Sequence, residues 1–198
     1  VNPVCINTVI PISTSAPAYV VSYLFDFGDG SPPAGSGSGA TSHSYTTPGD
    51  YTITLTTTDN NGCTEAAATY LMHVSGPTVQ FTTPTLISCG ALTAAFQDQS
   101  TPSPGTTLTT WSWDYGDGSV ATGQAPAAHN YIFQGIFPVK LKVTDNNGCS
   151  DSLVKSNYIT VSIPVAKYIT DDSNYCPASN IKFTNTSSGG FTPVFTWD

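Results

Sequence analysis

The chain repeats itself. With a period of roughly 86 residues, the same landmarks come into register in the same order. Cys5, Cys89 and Cys176 open the copies. The runs YLFDFGDGS (residues 23–31) and WSWDYGDGS (111–119) follow, and FTWD (195–198) starts the run again. Next come His43-Ser44-Tyr45 and His129-Asn130-Tyr131, then DYTITLTTTDNNGC (50–63) and IFPVKLKVTDNNGC (136–149). A fold for this chain must therefore close within one repeat and be used again. The copies divide at 1–75, 76–163 and 164–198, with the first expected to lack its opening strand and the third to be an N-terminal part only.

Within each copy the apolar residues recur at every second position. Tyr51, Ile53 and Leu55 alternate with Thr52, Thr54 and Thr56. Phe137, Val139, Leu141 and Val143 alternate with Pro138, Lys140, Lys142 and Thr144. That is the pattern of strands with one buried face. Tyr23, Phe25 and Phe27 share one parity, as do Trp111, Trp113 and Tyr115, so each copy sends bulky rings to one side of a sheet. Leu92, Ala94 and Phe96 form another such run. Asn61-Gly62 and Asn147-Gly148 supply hairpin turns. Short strands, closely spaced turn signals and no helical periodicity predict an all-β fold of tandem immunoglobulin-like sandwiches arranged end to end. The junctions Ser75-Gly76-Pro77 and Ser162-Ile163-Pro164 are brief and contain proline, which predicts semi-rigid spacing.

Composition excludes several functions. A net charge of -8 with only five lysines and no arginine gives nucleic acid no counterion-releasing surface. No apolar run approaches the roughly 18 residues of a spanning helix. Thr and Ser fill the outward positions where most proteins use charge.

The run ending FDFGDGS or WDYGDGS, the His-x-Tyr, the alternating strand and the D-N-N-G turn, in that order, resemble PKD domains, and the resemblance covers nearly the whole chain. It implies immunoglobulin-like sandwiches that act as extracellular spacers and as protein- or carbohydrate-contact modules. The opening Cys and the NNGC turn are similar to those of bacterial repeat proteins that use type IX secretion, including gliding-motility adhesins. Phe25 departs from the pattern, which usually has Trp there.

Five cysteines at repeating positions read as a disulfide framework, with Cys176 paired outside the fragment. Two connectivities remain open. Cys5–Cys63 and Cys89–Cys149 would close loops inside each repeat. Against this, a sandwich places its opening strand and its last hairpin at opposite poles, farther apart than the roughly 7 Å a disulfide allows. The alternative joins Cys5 to Cys149, one repeat to the next.

The candidate chemistry is sparse. Asp26 and Asp29, like Asp114 and Asp117, suit backbone-capping in a Gly turn better than a catalytic pair. No cofactor is required; the ion to consider is calcium, with Asp26, Asp29 and Asp50 of one repeat meeting Asp145 and Asn146 of the next. His43 and His129 read as structural imidazoles bonded to backbone beside Tyr45 and Tyr131, and His73 as isolated, without a carboxylate nearby. Tyr131, Ile132 and Phe133 replace Tyr45-Thr46-Thr47, which reads as core packing rather than a contact patch. Asp151-Ser152-Leu153 matches a short bacterial O-glycosylation signal at Ser152.

These features lead to a non-catalytic, extracellular or cell-surface stalk and contact module. Its expected partners are neighbouring repeats and a protein or carbohydrate ligand. The second reading is an accessory substrate-binding module of a secreted protease or polysaccharide-degrading enzyme.

Overall fold

The structure, a computed structural model, describes residues 4–15, 17–171 and 181–188. Among the described residues there is no helix.

The first repeat supplies seven strands: β1 (Val4–Cys5), β2 (Ile10–Ser13), β3 (Val20–Asp26), β4 (Ala34–Ser36), β5 (Ala40–His43), β6 (Gly49–Asp59) and β7 (Thr64–Ser75). One sheet runs β1-β7-β6-β3-β4, and β2 pairs with β5 in the other. The period-two pattern accounts for the core. Tyr23, Phe25 and Phe27 point inward to join Ile6, Tyr45, Ile53 and Val74, while Ser22, Leu24 and Asp26 face out. Ile10 and Ile12 from β2 pack against that cluster, so the second layer covers the first. The neighbours are antiparallel apart from β1, which lies parallel to β7 with Val4 opposite Val74 and Cys5 opposite Ser75.

The second repeat opens with β8 (Phe81–Thr82) and β9 (Ile87–Cys89), then β10 (Leu92–Ala94), β11 (Gln97–Asp98), β12 (Leu108–Asp114), β13 (Val120–Thr122), β14 (His129–Tyr131), β15 (Gly135–Asp145) and β16 (Ser150–Ser162). Its main sheet runs β9-β16-β15-β12-β13, strand for strand the order of the first repeat, and β10-β14 matches β2-β5. Again the opening strand is parallel to the last, with Cys89 opposite Ser162. A short β8-β11 pair stands beside them. Past the second repeat, β17 (Tyr168–Thr170) pairs antiparallel with β18 (Phe183–Asn185).

The D-N-N-G hairpins are built one way in both copies. Asp59 Oδ1 accepts the N–H of Asn61 at 2.9 Å and of Cys63 at 2.8 Å. Asp145 Oδ1 takes Asn147 and Cys149, each at 2.9 Å. Only the glycines take positive φ, +80° at Gly62 and +83° at Gly148, so the Asn residues are not the left-handed pair of a two-residue turn.

By contact density the chain forms two compact units. One comprises Val1–Gln80, Ser100–Trp111 and Lys142–Ser152; the other Phe81–Gln99, Ser112–Leu141 and Leu153–Asp198. Within the first unit the junction is pinned. Ser103 Oγ donates to the Gly76 carbonyl at 2.7 Å and accepts the Gly76 N–H at 3.0 Å, and Thr78 and Thr101 exchange both backbone bonds.

Candidate functional site

Both repeats carry one side-chain constellation at the GDGS turn. In the first, Asp26 Oδ1 accepts the Gly28 N–H at 2.9 Å, and Asp29 Oδ1 accepts the Ser31 N–H at 3.0 Å and its hydroxyl at 2.6 Å. The other Asp29 oxygen meets His43 Nε2 at 2.8 Å. The imidazole stacks on Phe27, 3.9 Å between centroids, and turns its edge to Tyr45, whose hydroxyl donates to the Phe27 carbonyl at 3.0 Å. The second repeat copies each part. Asp114 Oδ1 takes Gly116 N–H and Asp117 Oδ1 takes Ser119 N–H, both at 2.9 Å. His129 Nε2 lies 2.7 Å from Asp117 Oδ2 and stacks on Tyr115, and Tyr131 donates to the Tyr115 carbonyl at 3.0 Å.

The two histidines thus bond a carboxylate and not the backbone expected from sequence. The signal missed was the Asp of GDG, whose second oxygen reaches across the turn. Burial pushes the Asp29 carboxyl upward, yet the bonds from Ser31 and His43 outweigh it and leave it at about 2, below its ordinary 3.8. Asp117 is opposed by burial and held low in the same way by His129 and Ser119. Burial, and then the Asp29 charge, raise Tyr45 to about 12; burial likewise raises Tyr131 and Tyr115.

A depressed carboxyl stabilises the fold above its unfolded pKa, and that stabilisation is lost as pH falls through its folded value. The fold should therefore weaken between about pH 4 and pH 2 as the Asp29 carboxylate protonates, and Asp117 should contribute a loss of the same sign on acidification. Asp29→Asn should flatten that part of a stability-versus-pH curve, and an unchanged slope would contradict the assignment. At its first glycine the turn of the second repeat has no room for a side chain. Gly116 has φ +77°, and a Cβ there would lie 2.1 Å from the Pro138 carbonyl oxygen. Gly116→Ala should cost about 2–3 kcal/mol by urea unfolding.

The two imidazole rings of these carboxylate–imidazole pairs are held alike in both repeats. The rings are sandwiched between aromatic neighbours, and among the described residues no Ser, Thr or Cys side chain hydrogen-bonds either imidazole.

The five oxygen donors considered for calcium each have local work. Asp26 and Asp29 cap the turn, and Asp50 Oδ1 meets His73 Nδ1 at 2.6 Å. Asp145 closes the hairpin, and Asn146 Oδ1 accepts the Thr107 N–H at 2.9 Å. Among the described residues no three His, Cys, Asp or Glu side chains form a metal-binding group. His73 is therefore not isolated: Asp50 lies directly opposite it in the β6–β7 register, a neighbour that linear spacing hides.

Of the two disulfide connectivities, the structure has Cys5–Cys149, with S–S 2.08 Å, Cα–Cα 5.1 Å and a sequence separation of 144. Cys63 and Cys89 are exposed free thiols, so neither Cys5–Cys63 nor Cys89–Cys149 is formed. The reason is strand geometry. Cys63 immediately precedes Thr64, where β7 begins, whereas Cys5 faces Ser75, where β7 ends. Eleven steps of strand at about 3.3 Å each hold them about 30 Å or more apart. Cys176 lies outside the described residues.

Tyr131 is buried, but Ile132 and Phe133 are 60% and 73% exposed, which overturns their reading as core. With Tyr131 turned inward at the end of β14, the two residues that follow lie beyond the strand in solvent. Ser152 sits exposed on β16.

The PKD domain model matches this chain twice, over residues 6–74 and 74–161. Among solved structures, the fibronectin(III)-like modules of Clostridium thermocellum CbhA are similar at 15% identity, TM-score 0.34, over 81% of this chain and 90% of that one. Three N-terminal domains of the bacteriophage RB49 Highly Immunogenic Outer Capsid protein give 14% and 0.36, over 96% and 67%. The amphioxus IgVJ-C2 molecule gives 11% and 0.27, over 77% and 96%. TM-scores this low carry no weight for fold or function.

Proposed function

The chain belongs to the PKD domain family, with two members in tandem, and from that premise we propose that it is a semi-rigid stalk and contact segment of a large bacterial surface protein. PKD domains are typically non-catalytic and extracellular, and a disulfide suits an oxidising compartment. Among the described residues no helix is long and apolar enough to cross a membrane.

The observation that carries the reading is the Cys5–Cys149 bond, which ties one repeat to the next a second time besides the peptide chain. A tether loaded at its ends needs such a link, because force applied along the chain then bypasses the enclosed residues. Stretching single molecules tests it. The 144-residue separation should stay shielded, so the oxidised chain should extend about 50 nm less than the reduced one. Equal extensions would contradict the stalk.

The exposed pair Ile132 and Phe133 is the best-placed contact element. Replacing both with threonine should reduce adhesion of chain-coated beads to a protein film while leaving the melting temperature unchanged. Depletion of the chain from solution by insoluble chitin or cellulose would instead favour the accessory-module role.

A further inference from the structure

We propose that Cys63 and Cys89 are complementary half-sites of further linkages of the Cys5–Cys149 kind, each made to accept the opposite cysteine of another repeat. The proposal rests on repeat equivalence and is independent of the stalk role.

The bonded pair consists of one opening-strand cysteine and one hairpin cysteine. Cys89 stands where Cys5 stands: Cys5 faces Ser75 and Cys89 faces Ser162, each on a strand parallel to the last strand of its repeat. The backbone frame is also shared. Ile6 N–H donates to the Ser75 carbonyl at 3.0 Å, and Gly90 N–H to the Ser162 carbonyl at 2.9 Å. Cys63 stands where Cys149 stands. Asp59 Oδ1 accepts its N–H at 2.8 Å, as Asp145 Oδ1 accepts that of Cys149 at 2.9 Å. The return bonds match too, Asp59 N–H to the Cys63 carbonyl at 3.0 Å and Asp145 N–H to that of Cys149 at 2.9 Å. One difference separates the pairs: Cys149 is buried with its bond made, whereas Cys63 and Cys89 are exposed and reduced.

Two half-sites of opposite kind, on different repeats, make the linkage directional. An opening cysteine joins a hairpin cysteine, and like does not join like. The partner is another repeat of this type, on the same polypeptide or on a second copy of this chain. The oxidant is a small disulfide such as oxidised glutathione. One thiolate displaces a glutathione thiolate to give a mixed disulfide, and the second thiolate displaces the other. One protein S–S bond forms, one glutathione S–S bond is reduced, and two glutathione thiols leave.

In the chain alone a second copy is the available partner, which sets the test. Both variants carry Cys176→Ser and keep Cys5–Cys149; one adds Cys63→Ser, the other Cys89→Ser. Each is incubated at millimolar concentration with a glutathione redox buffer, alone and as an equimolar mixture, and run on a non-reducing gel. Both replaced side chains are exposed, so folding is retained and checked by circular dichroism. The mixture should give at least ten times more disulfide dimer than either variant alone. The chain with both cysteines should form a ladder of oligomers through Cys63–Cys89 bonds. Equal or greater dimer in the single-variant samples would overturn the proposal. So would monomer in all three.

Discussion

Replacing Trp113 with alanine is expected to lower the unfolding free energy by about 3–5 kcal/mol, enough to remove most of the stability of a small domain. The ring is fully buried, edge-on to Phe81 at 5.4 Å and tilted against Phe96 at 5.8 Å. Its Nε1 also donates to the Gly123 carbonyl at 3.0 Å, so truncation leaves both a cavity and an unpaired backbone acceptor. Trp113→Phe separates the two effects. The first repeat already uses Phe25, also buried, at the equivalent position. The phenylalanine variant should therefore lose only about 1–2 kcal/mol in urea unfolding followed by circular dichroism. A loss below about 1 kcal/mol for alanine would mean the aromatic set does not form the interior.

Removing the cross-link should have a comparable effect. In a background with Cys63, Cys89 and Cys176 changed to serine, Cys5→Ala with Cys149→Ala frees a loop defined by a 144-residue separation. Chain entropy alone sets an upper value of about 5 kcal/mol, and the loss measured by urea unfolding should fall between about 2 and 5 kcal/mol. Alanine is the right replacement, since Cys149 is buried and a serine hydroxyl there would add its own desolvation cost. The effect arises in the unfolded ensemble, so the folded spectrum should not change. Reducing the bond in the cysteine-containing chain should reproduce the shift.

Strand content was legible because alternation is local. Val139, Leu141 and Val143 could be placed inside, and Lys140 and Lys142 outside, from spacing alone. The capping of the GDG turn by Asp26 and Asp29 was legible for the same reason, since those bonds reach only two residues. What sequence missed lies across strands. The Asp50–His73 pair depends on the β6–β7 register, and the bond from His43 to Asp29 crosses between β5 and the turn after β3. Ile132 and Phe133 were misplaced because an apolar triplet at a strand end carries no period, so nothing told which residue faced inward. The cysteines were a middle case. Topology argued against closure within a repeat, but the choice of Cys149 needed the parallel strand that fixes Cys5 beside Ser75.

Disulfide mapping tests the covalent joining of one repeat to the next most directly. Cleavage before aspartate without reduction places Cys5 in peptide 1–25, Cys149 in 145–150, and Cys63 with Cys89 in 59–97. The structure predicts 1–25 bonded to 145–150 alone. Recovery of 59–97 bonded to both of the other peptides would mean that each repeat closes on itself, and would contradict it.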